Sequence, residues 1–476
     1  MNPILQIDKL LVRLEPVWGK QKIEQFKLIY QISDIKRKAR LEKIISISAS
    51  KLVNDNLLNN KIILPPSTKE ECYGKGQIYL ADICYGTYPD HNPRTICPLY
   101  LDYTDIKNHI IVTGLSGMGK TTLAYNLLKE LASKKVNCLV FDWDRTWRNF
   151  LSLPEEEYPF INDIRIFTIG RDDIAPLSWN MFFSPPPGIK FSSWLGIVSS
   201  KPLQKSLLAG QGVEDFIENE AEKLMNDFQS GILKLLPNAD DLRKRIKNKF
   251  AKARELLWKQ SAERVLKDLT RESIKRLFGS REPLDISEQI IERKGITILE
   301  MDIETPEHLR VLFQELFLTY LMLCVLSKGE AQRDEIRTAI FLEEFPNMLP
   351  KSSIEKEVNS DVIKTIFREG RKFGLGLIAI AQETSELPNY VLANAKVQVH
   401  FACQTKKDIE ATANSLFLKH DEIVFLDLLK LGEAITKVKG RVRNCLIKIK
   451  PPFIHGRVND IQLKEKMKKW NSQNSE

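Results

Sequence analysis

The sequence predicts an α/β protein with a mainly parallel sheet, a helical insertion and a small helical N-terminal domain. Three observations carry that prediction. Short apolar runs recur at 108–114, 136–144, 165–170, 296–302, 338–345, 375–382 and 396–403. Each has strand length and is too uniformly apolar for a strand with one wet face. The early runs and the helical text between them follow β-loop-α-β order, which places helices on both faces of a parallel sheet. Residues 183–290 break that rhythm with mostly helical sequence.

The elements follow in order. In ILQIDKLLVRL the apolar positions Ile4, Ile7, Leu11 and Leu14 form a helical stripe, and DIKRKARLEKII adds Lys36, Arg37, Lys38, Arg40 and Lys43 in helical style. Such a basic cluster is ordinarily a solvated face. Residues 1–75 are therefore assigned to a helical domain for assembly or partner docking. GQIYLADICYGTY, from residue 76, alternates as strands do. NHIIVTG leads into a glycine loop, and TTLAYNLLKELA follows as a helix with Leu123, Leu127 and Leu131 on one face. Residues 76–182 and 291–455 form the two parts of the α/β core around the insertion 183–290. Residues 456–476 are a basic tail, either a helix or frayed.

Composition narrows the function classes. The 476 residues carry 71 Lys and Arg against 62 Asp and Glu, a net charge of +9. That excess permits a polyanionic partner without demanding one. Seven cysteines, at 72, 84, 97, 138, 324, 403 and 445, form no CxxC pair, which argues against a zinc ribbon. Their odd number and the lack of a leader pattern point to a reducing cytoplasm. The run LFLTYLMLCVL at 316–326 is too short to span a bilayer and reads as a buried helix.

Gly114, Gly119, Lys120 and Thr121 satisfy G-x4-G-K-[ST]. Glycines let backbone N–H groups curl around phosphate oxygens, and the following helix aims its positive end at the anion. Lys120 reaches the β- and γ-phosphates, and the Thr121 hydroxyl ligates Mg²⁺. Chance produces the pattern in a chain this long about once in fifty sequences, and here the flanking strand and helix are also correct.

FLEEF ends an apolar run with Glu343 and Glu344. Beside a P-loop, strand-end acids serve the metal's water shell (Glu343) and the attacking water (Glu344). An acidic strand end facing solvent is the ordinary alternative, and the position after a buried run tips the reading toward chemistry. Gln382 closes LIAIAQ, where an amide either caps the strand or senses the γ-phosphate. IFREGRKFG sets Arg368, Arg371 and Lys372 at helical spacing before Gly374. Cations at a helix end are the ordinary reading, and an arginine reaching a phosphate in trans is the functional one. DLRKRIKNKFAKAR reads as one basic helix, more a solvated face than a phosphate contact. Asp142 and Asp144 either assist a metal or cap a turn.

Together, HIIVTGLSGMGKTT, VFDWDRTW, LLAGQGVEDF, GITILEMDIETPEHLR, FLEEFPNM, REGRKFGLGLIAIAQETSELPNYVLANAKVQVHF and LKLGEAITKVKG, in that order over 76–455, resemble the HerA/FtsK superfamily of P-loop ATPases, most closely its HerA branch. The resemblance implies a RecA-like ATPase core, with ATP and Mg²⁺, assembled as a ring, most often a hexamer, around double-stranded DNA. It implies that Gly114, Ser116, Gly117, Met118, Gly119, Lys120, Thr121 and Thr122 hold the nucleotide. Thr121, and Glu343 through water, serve the metal. Glu344 matches the catalytic glutamate and Gln382 the sensor. Arg371, with Arg368 second, would reach a neighbour's γ-phosphate. A nuclease or a phage-defence effector is the implied partner. The alternatives are a conjugation or secretion coupling ATPase and an ATP-switched scaffold for an effector. Two departures stand out. Glu343 replaces the family's usual Asp, and the N-terminal region is helical where many HerA proteins have a small β-barrel.

Overall fold

The computed structural model describes residues 20–59, 62–63, 76–87, 93–204, 210–272, 274–349, 362–441, 443–451 and 453–473, with Leu11, Leu14 and Trp18. Ile4 and Ile7 of the expected stripe, Cys72, and residues 207–209 of LLAGQGVEDF lie outside the described residues. Two compact units divide the chain: Met1–Pro66 with Cys84–Ile96, and Ser67–Ile83 with Cys97–Glu476.

In the first unit, helices Lys20–Ile32 and Ile35–Asn59 meet at Asp34, whose carboxylate accepts from the Arg37 N–H at 2.8 Å. Leu11, Leu14, Ile23 and Ile45 form a small core with Trp18, Phe26 and Tyr30 packed against it. Lys36, Arg37, Arg40 and Lys43 are exposed, as a solvated basic face requires. A two-residue strand β1 (Ile62–Ile63) pairs antiparallel with β2 (Ile78–Thr87).

The sheet of the second unit explains the apolar runs. Its strands are β4 (Ile110–Thr113), β5 (Cys138–Asp142), β6 (Ile164–Ile169), β7 (Ile296–Met301), β8 (Thr338–Leu342), β9 (Leu375–Ile380), β10 (Val397–His400), β11 (Glu433–Val438) and β12 (Cys445–Lys448), with the later part of β3 (Arg94–Leu101), from Cys97 onward. They run in the order β12-β11-β10-β4-β9-β8-β5-β7-β6, with β2 beside β12 and β3 paired to β2. From β10 to β6 every pairing is parallel; β11 and β12 are antiparallel. Each parallel strand is buried along its whole length because helices cover both faces, which is why the runs show no alternation. Parallel direction also brings the carboxyl ends of β4, β5, β8 and β9 to one edge.

Helix Glu307–Ser327 is, among the described residues, the one helix long and apolar enough to cross a membrane, yet most of its apolar stretch is buried. Phe317 meets Phe141 and Trp179 with ring centroids 5.9 and 5.6 Å apart, and Tyr320 meets Trp179 and Trp194. It is a core helix.

Between β6 and β7 lie helices Phe191–Gln204, Gln211–Gln229, Ala239–Asn248 and Ala253–Leu269. The basic stretch expected as one helix is two. Ala239–Asn248 stops at Lys249, and the next helix begins after Lys252, whose backbone N–H is held by Glu255 at 3.2 Å. Arg245 and Lys249 turn inward onto Glu220, and Arg245 also reaches Asp227 at 2.6 Å. These cations brace neighbouring helices. Residues 460–473 form a helix that buries Leu463 and Met467.

Candidate active site

Beyond Thr113 the chain turns through Gly114 (φ 132°), Gly117 (φ 77°) and Gly119 (φ 113°) into helix Lys120–Ser133. Two separate constraints demand glycine. At Gly117 a Cβ would meet open space, so the left-handed φ alone selects it; at Gly114 a Cβ would also lie 2.5 Å from the Phe401 Cβ. The helix has no side-chain cap, so its first amides and the positive end of its dipole remain for a bound anion. Lys120 is buried, and its ammonium donates to the carbonyls of Gly114 (2.5 Å) and Leu115 (2.9 Å). Burial lowers its pKa, and the charge of Glu344 acts in the opposite sense.

A cavity of about 640 Å³ opens here, lined by Ser116, Gly117, Gly119, Lys120, Thr121 and Thr122, and across from them by Asp144, Glu343, Glu344 and Gln382. Gly114 and Met118 shape the loop without lining the cavity. The Gly114 N–H donates to the Gln382 carbonyl at 3.2 Å, and the Met118 carbonyl accepts from the Gly432 N–H at 3.0 Å.

The two glutamates have opposite surroundings. Glu344 sits in a left-handed turn (φ 45°, ψ 42°) and accepts from the Gln382 amide at 2.9 Å. A non-glycine residue held in that region costs on the order of 1–3 kcal/mol, a strain that clusters at working sites. Glu343 is buried against Asp142 at the end of β5. Burial first, and then the neighbouring acids, push both carboxyls up: Asp142 to about 7, with Glu300 contributing, and Glu343 well above its ordinary range. Side by side and dry, the pair favours holding a proton. Asp142 also caps its own turn, accepting from the N–H groups of Asp144 (3.1 Å) and Trp147 (3.0 Å). The buried Oε2 of Glu343 has no hydrogen-bond partner among the described residues. That orphaned oxygen, on a residue that lines the cavity together with Thr121, suits a cation's water shell. Among the described residues no group of three or more His, Cys, Asp or Glu could hold a metal. An ion here would draw its remaining ligands from phosphate and water, as Mg²⁺ does.

Arg368 and Arg371 are not brought to this cavity. The α-helix Val362–Glu369 tightens into a 3-10 turn over Gly370–Phe373, closed by Gly374 in the left-handed region (φ 78°). Arg368 therefore ends the α-helix while Arg371 and Lys372 belong to the turn, so the expected single helical face does not form. Tightening is the common way to end a helix whose last carbonyls lack partners. All three side chains are exposed. Arg371 donates to Asn108 at 3.3 Å, before β4 and so at the amino end of the strands. The four residues of β4 alone span roughly 13 Å, so Arg371 does not serve its own chain's cavity.

Sequence reasoning missed the wall made by Leu431, Gly432, Lys448, Ile449, Lys450 and Pro451. Lys448 donates to the Leu431 carbonyl at 2.8 Å, and the Lys450 ammonium lies 4.0 Å from the Tyr79 ring centroid. The available signal was IKIKPP: alternating lysines closed by prolines. It carried no motif, because antiparallel pairing of β11 and β12 is what returns it to the P-loop. A buried polar network was also unforeseen. The Thr113 hydroxyl lies 2.7 Å from His400 Nδ1 and 2.6 Å from the Thr384 hydroxyl, directly before the glycine loop. Burial pushes His400 down to about 3, so its ring is neutral.

Residues 83–318 match the family described as helicase HerA, central domain. Solved structures share the fold. VirB4 of Thermoanaerobacter pseudethanolicus superposes with a TM-score of 0.57 at 14% identity, over 80% of this chain and 98% of that one. The bacterial conjugative coupling protein TrwB superposes with a TM-score of 0.56 at 13% identity, over 84% and 96%. TrwB in complex with ADP and Mg²⁺ gives a TM-score of 0.56 at 14% identity, over 85% and 96%. No curated protein matches the sequence.

Proposed function

The chain belongs to the HerA/FtsK superfamily of P-loop ATPases, and from that premise we propose that it is a ring-forming translocase of double-stranded DNA. We infer that it works with a nuclease or another effector, in DNA processing or phage defence. One observation carries the catalytic part: Glu344 and Gln382 meet at 2.9 Å on the wall of the cavity that Lys120 and Thr121 also line. ATP and Mg²⁺ are the ligands this cavity suits, and the TrwB complex with ADP and Mg²⁺ supports that assignment.

The chemistry follows from placement. First-turn amides and Lys120 hold the phosphates. Thr121 and Glu343 would hold the metal, which neutralises phosphate charge when bound. Glu344 orients the attacking water, and its amide partner Gln382 registers the loss of the γ-phosphate. Arg371 completes the site of an adjacent chain, with Arg368 as the second choice. Hydrolysis passing from chain to chain moves duplex by its backbone, without reading bases.

A second reading is a coupling ATPase for conjugation or secretion, favoured by the shared architecture with VirB4 and TrwB. The deciding assay is ATP hydrolysis with and without linear duplex DNA, beside Lys120→Ala and Glu344→Gln. Stimulation by duplex that fades at high salt and is lost in both variants supports the motor. Hydrolysis indifferent to duplex but lost in both variants rejects it for the chain alone, in favour of a scaffold switched by ATP.

A further inference from the structure

A second cavity, again about 640 Å³, opens over β10 and β11, away from the P-loop. Its lining includes Lys396, Lys437 and Lys439 and no carboxylate. Lys396 is neutralised by Asp105 at 2.6 Å. Lys437 and Lys439 make no ion pair among the described residues. Lys437 donates to the Ser415 carbonyl at 2.6 Å, and its ammonium lies 3.9 Å from the Phe417 ring centroid. Burial and the nearby Lys439 both lower the Lys437 pKa. Two cations held together without a counter-charge form a place for an anion.

Phe417 is the second unusual feature. It ends helix Lys406–Leu416 in the left-handed region (φ 54°), where glycine or asparagine is the ordinary choice. It is also 80% exposed. An aromatic ring in that position gains little from burial and carries backbone strain, so folding alone does not account for it. With a cation against it and most of its surface open, it offers a stacking platform for a planar base. Asn389 and Asn414 line the same cavity with amides able to read a base edge.

We propose that this cavity is a second nucleotide site, taking a free mononucleotide with its phosphate on Lys437 and Lys439 and its base on Phe417. A recess with the volume of the P-loop cavity suits a small ligand better than a duplex, whose backbone is met by projecting cations. The site is wired to the P-loop. Thr384 lines it, and the Thr384 hydroxyl is 2.6 Å from that of Thr113, the residue before Gly114. Gln398 also lines it and lies 3.3 Å from His400 Nε2, whose other nitrogen contacts Thr113. Occupancy thus acts on the strand end that carries the glycine loop. This regulatory consequence rests on the ATPase assignment; the binding does not.

The test is a fluorescence titration of the full chain with methylanthraniloyl-AMP, in a Lys120→Ala background that disables the P-loop. Saturable binding of one equivalent per chain is expected. Adding Phe417→Gly, or Lys437→Ala with Lys439→Ala, weakens it at least tenfold. Phe417→Gly removes the strained aromatic, so its Tm holds or rises, which separates lost binding from lost folding. Unchanged binding in these variants, or none with Lys120→Ala alone, overturns the proposal. So does a Phe417→Gly chain that loses duplex DNA while still binding methylanthraniloyl-AMP, which would mark a nucleic-acid contact. In Lys120-intact protein, AMP should shift the KM for ATP, and Phe417→Gly should abolish that shift.

Discussion

At the carboxyl ends of β4, β5, β8 and β9 the chain gathers Lys120, Glu343, Glu344 and Gln382 about one cavity, with Asp142 behind Glu343, and most of these groups already hold one another. At the amino ends of the same strands, Arg368 and Arg371 stand exposed, with Asn108 as the recorded hydrogen-bond partner of Arg371. One end is preorganised within a single chain. The other presents cations whose phosphate partner, on the proposed reading, belongs to an adjacent chain. The difference separates binding, which one chain can do, from hydrolysis, which would need two.

Arg371→Ala tests that division most sharply. It should lower hydrolysis by about 10³-fold or more while leaving ATP affinity nearly unchanged. Mixing it with Lys120→Ala chains should restore part of the activity, since both lesions then fall in one composite site and leave the next site intact. No recovery in a steady-state assay of the mixture would remove Arg371 from the composite site.

Glu344→Gln addresses the preorganised end. Removing the charge beside Gln382 should cut turnover about 10²–10⁴-fold with nucleotide still bound. Single-turnover kinetics would distinguish lost chemistry from slow product release, and an unchanged chemical step would place the working carboxylate elsewhere.

Two buried histidines, His400 beneath the P-loop and His109 at the other end of β4, give a pH dependence. His400 and His109 are buried and neutral, pushed down to about 3 and about 4. The unfolded chain takes up protons at these residues below their ordinary value of about 6.5, while the folded chain does not. Stability from this source is therefore full above that value and is lost as pH falls toward 4 and then 3. The loss is on the order of a few kcal/mol. Thermal melts from pH 8 to pH 4 should fall less steeply for His400→Gln.

The smallest effect expected is that of Gly117→Ala. Its Cβ meets no neighbour, so the left-handed φ alone opposes it, at about 1 kcal/mol. Calorimetry should show a small drop in Tm, whereas Gly114→Ala, which would crowd Phe401, should cost more.

Much of the core was legible because local patterns carried it. Buried parallel strands are apolar on both faces, so β4 through β10 announced themselves as runs. The glycine loop has a spacing that only phosphate binding explains well. The basic stretch at 241–254 misled because charge density says nothing about partners. Glu220 and Asp227, on another helix, are what turned Arg245 inward. The break after Asn248 was hidden for a similar reason, since Glu255 secures the next helix from a distance of three residues.

By itself, then, the sequence determined the α/β class, the P-loop and the identity of the strand-end acids and glutamine, because each is set by periodicity or spacing within a few residues. Only the tertiary structure decided which strand ends meet. It gave Glu343 a buried acidic neighbour and Glu344 an amide, brought Lys448 and Lys450 to the cavity wall, and carried Arg371 to the opposite edge. Those outcomes depend on strand order and direction, which arise from packing between segments hundreds of residues apart, where no local pattern records the partner.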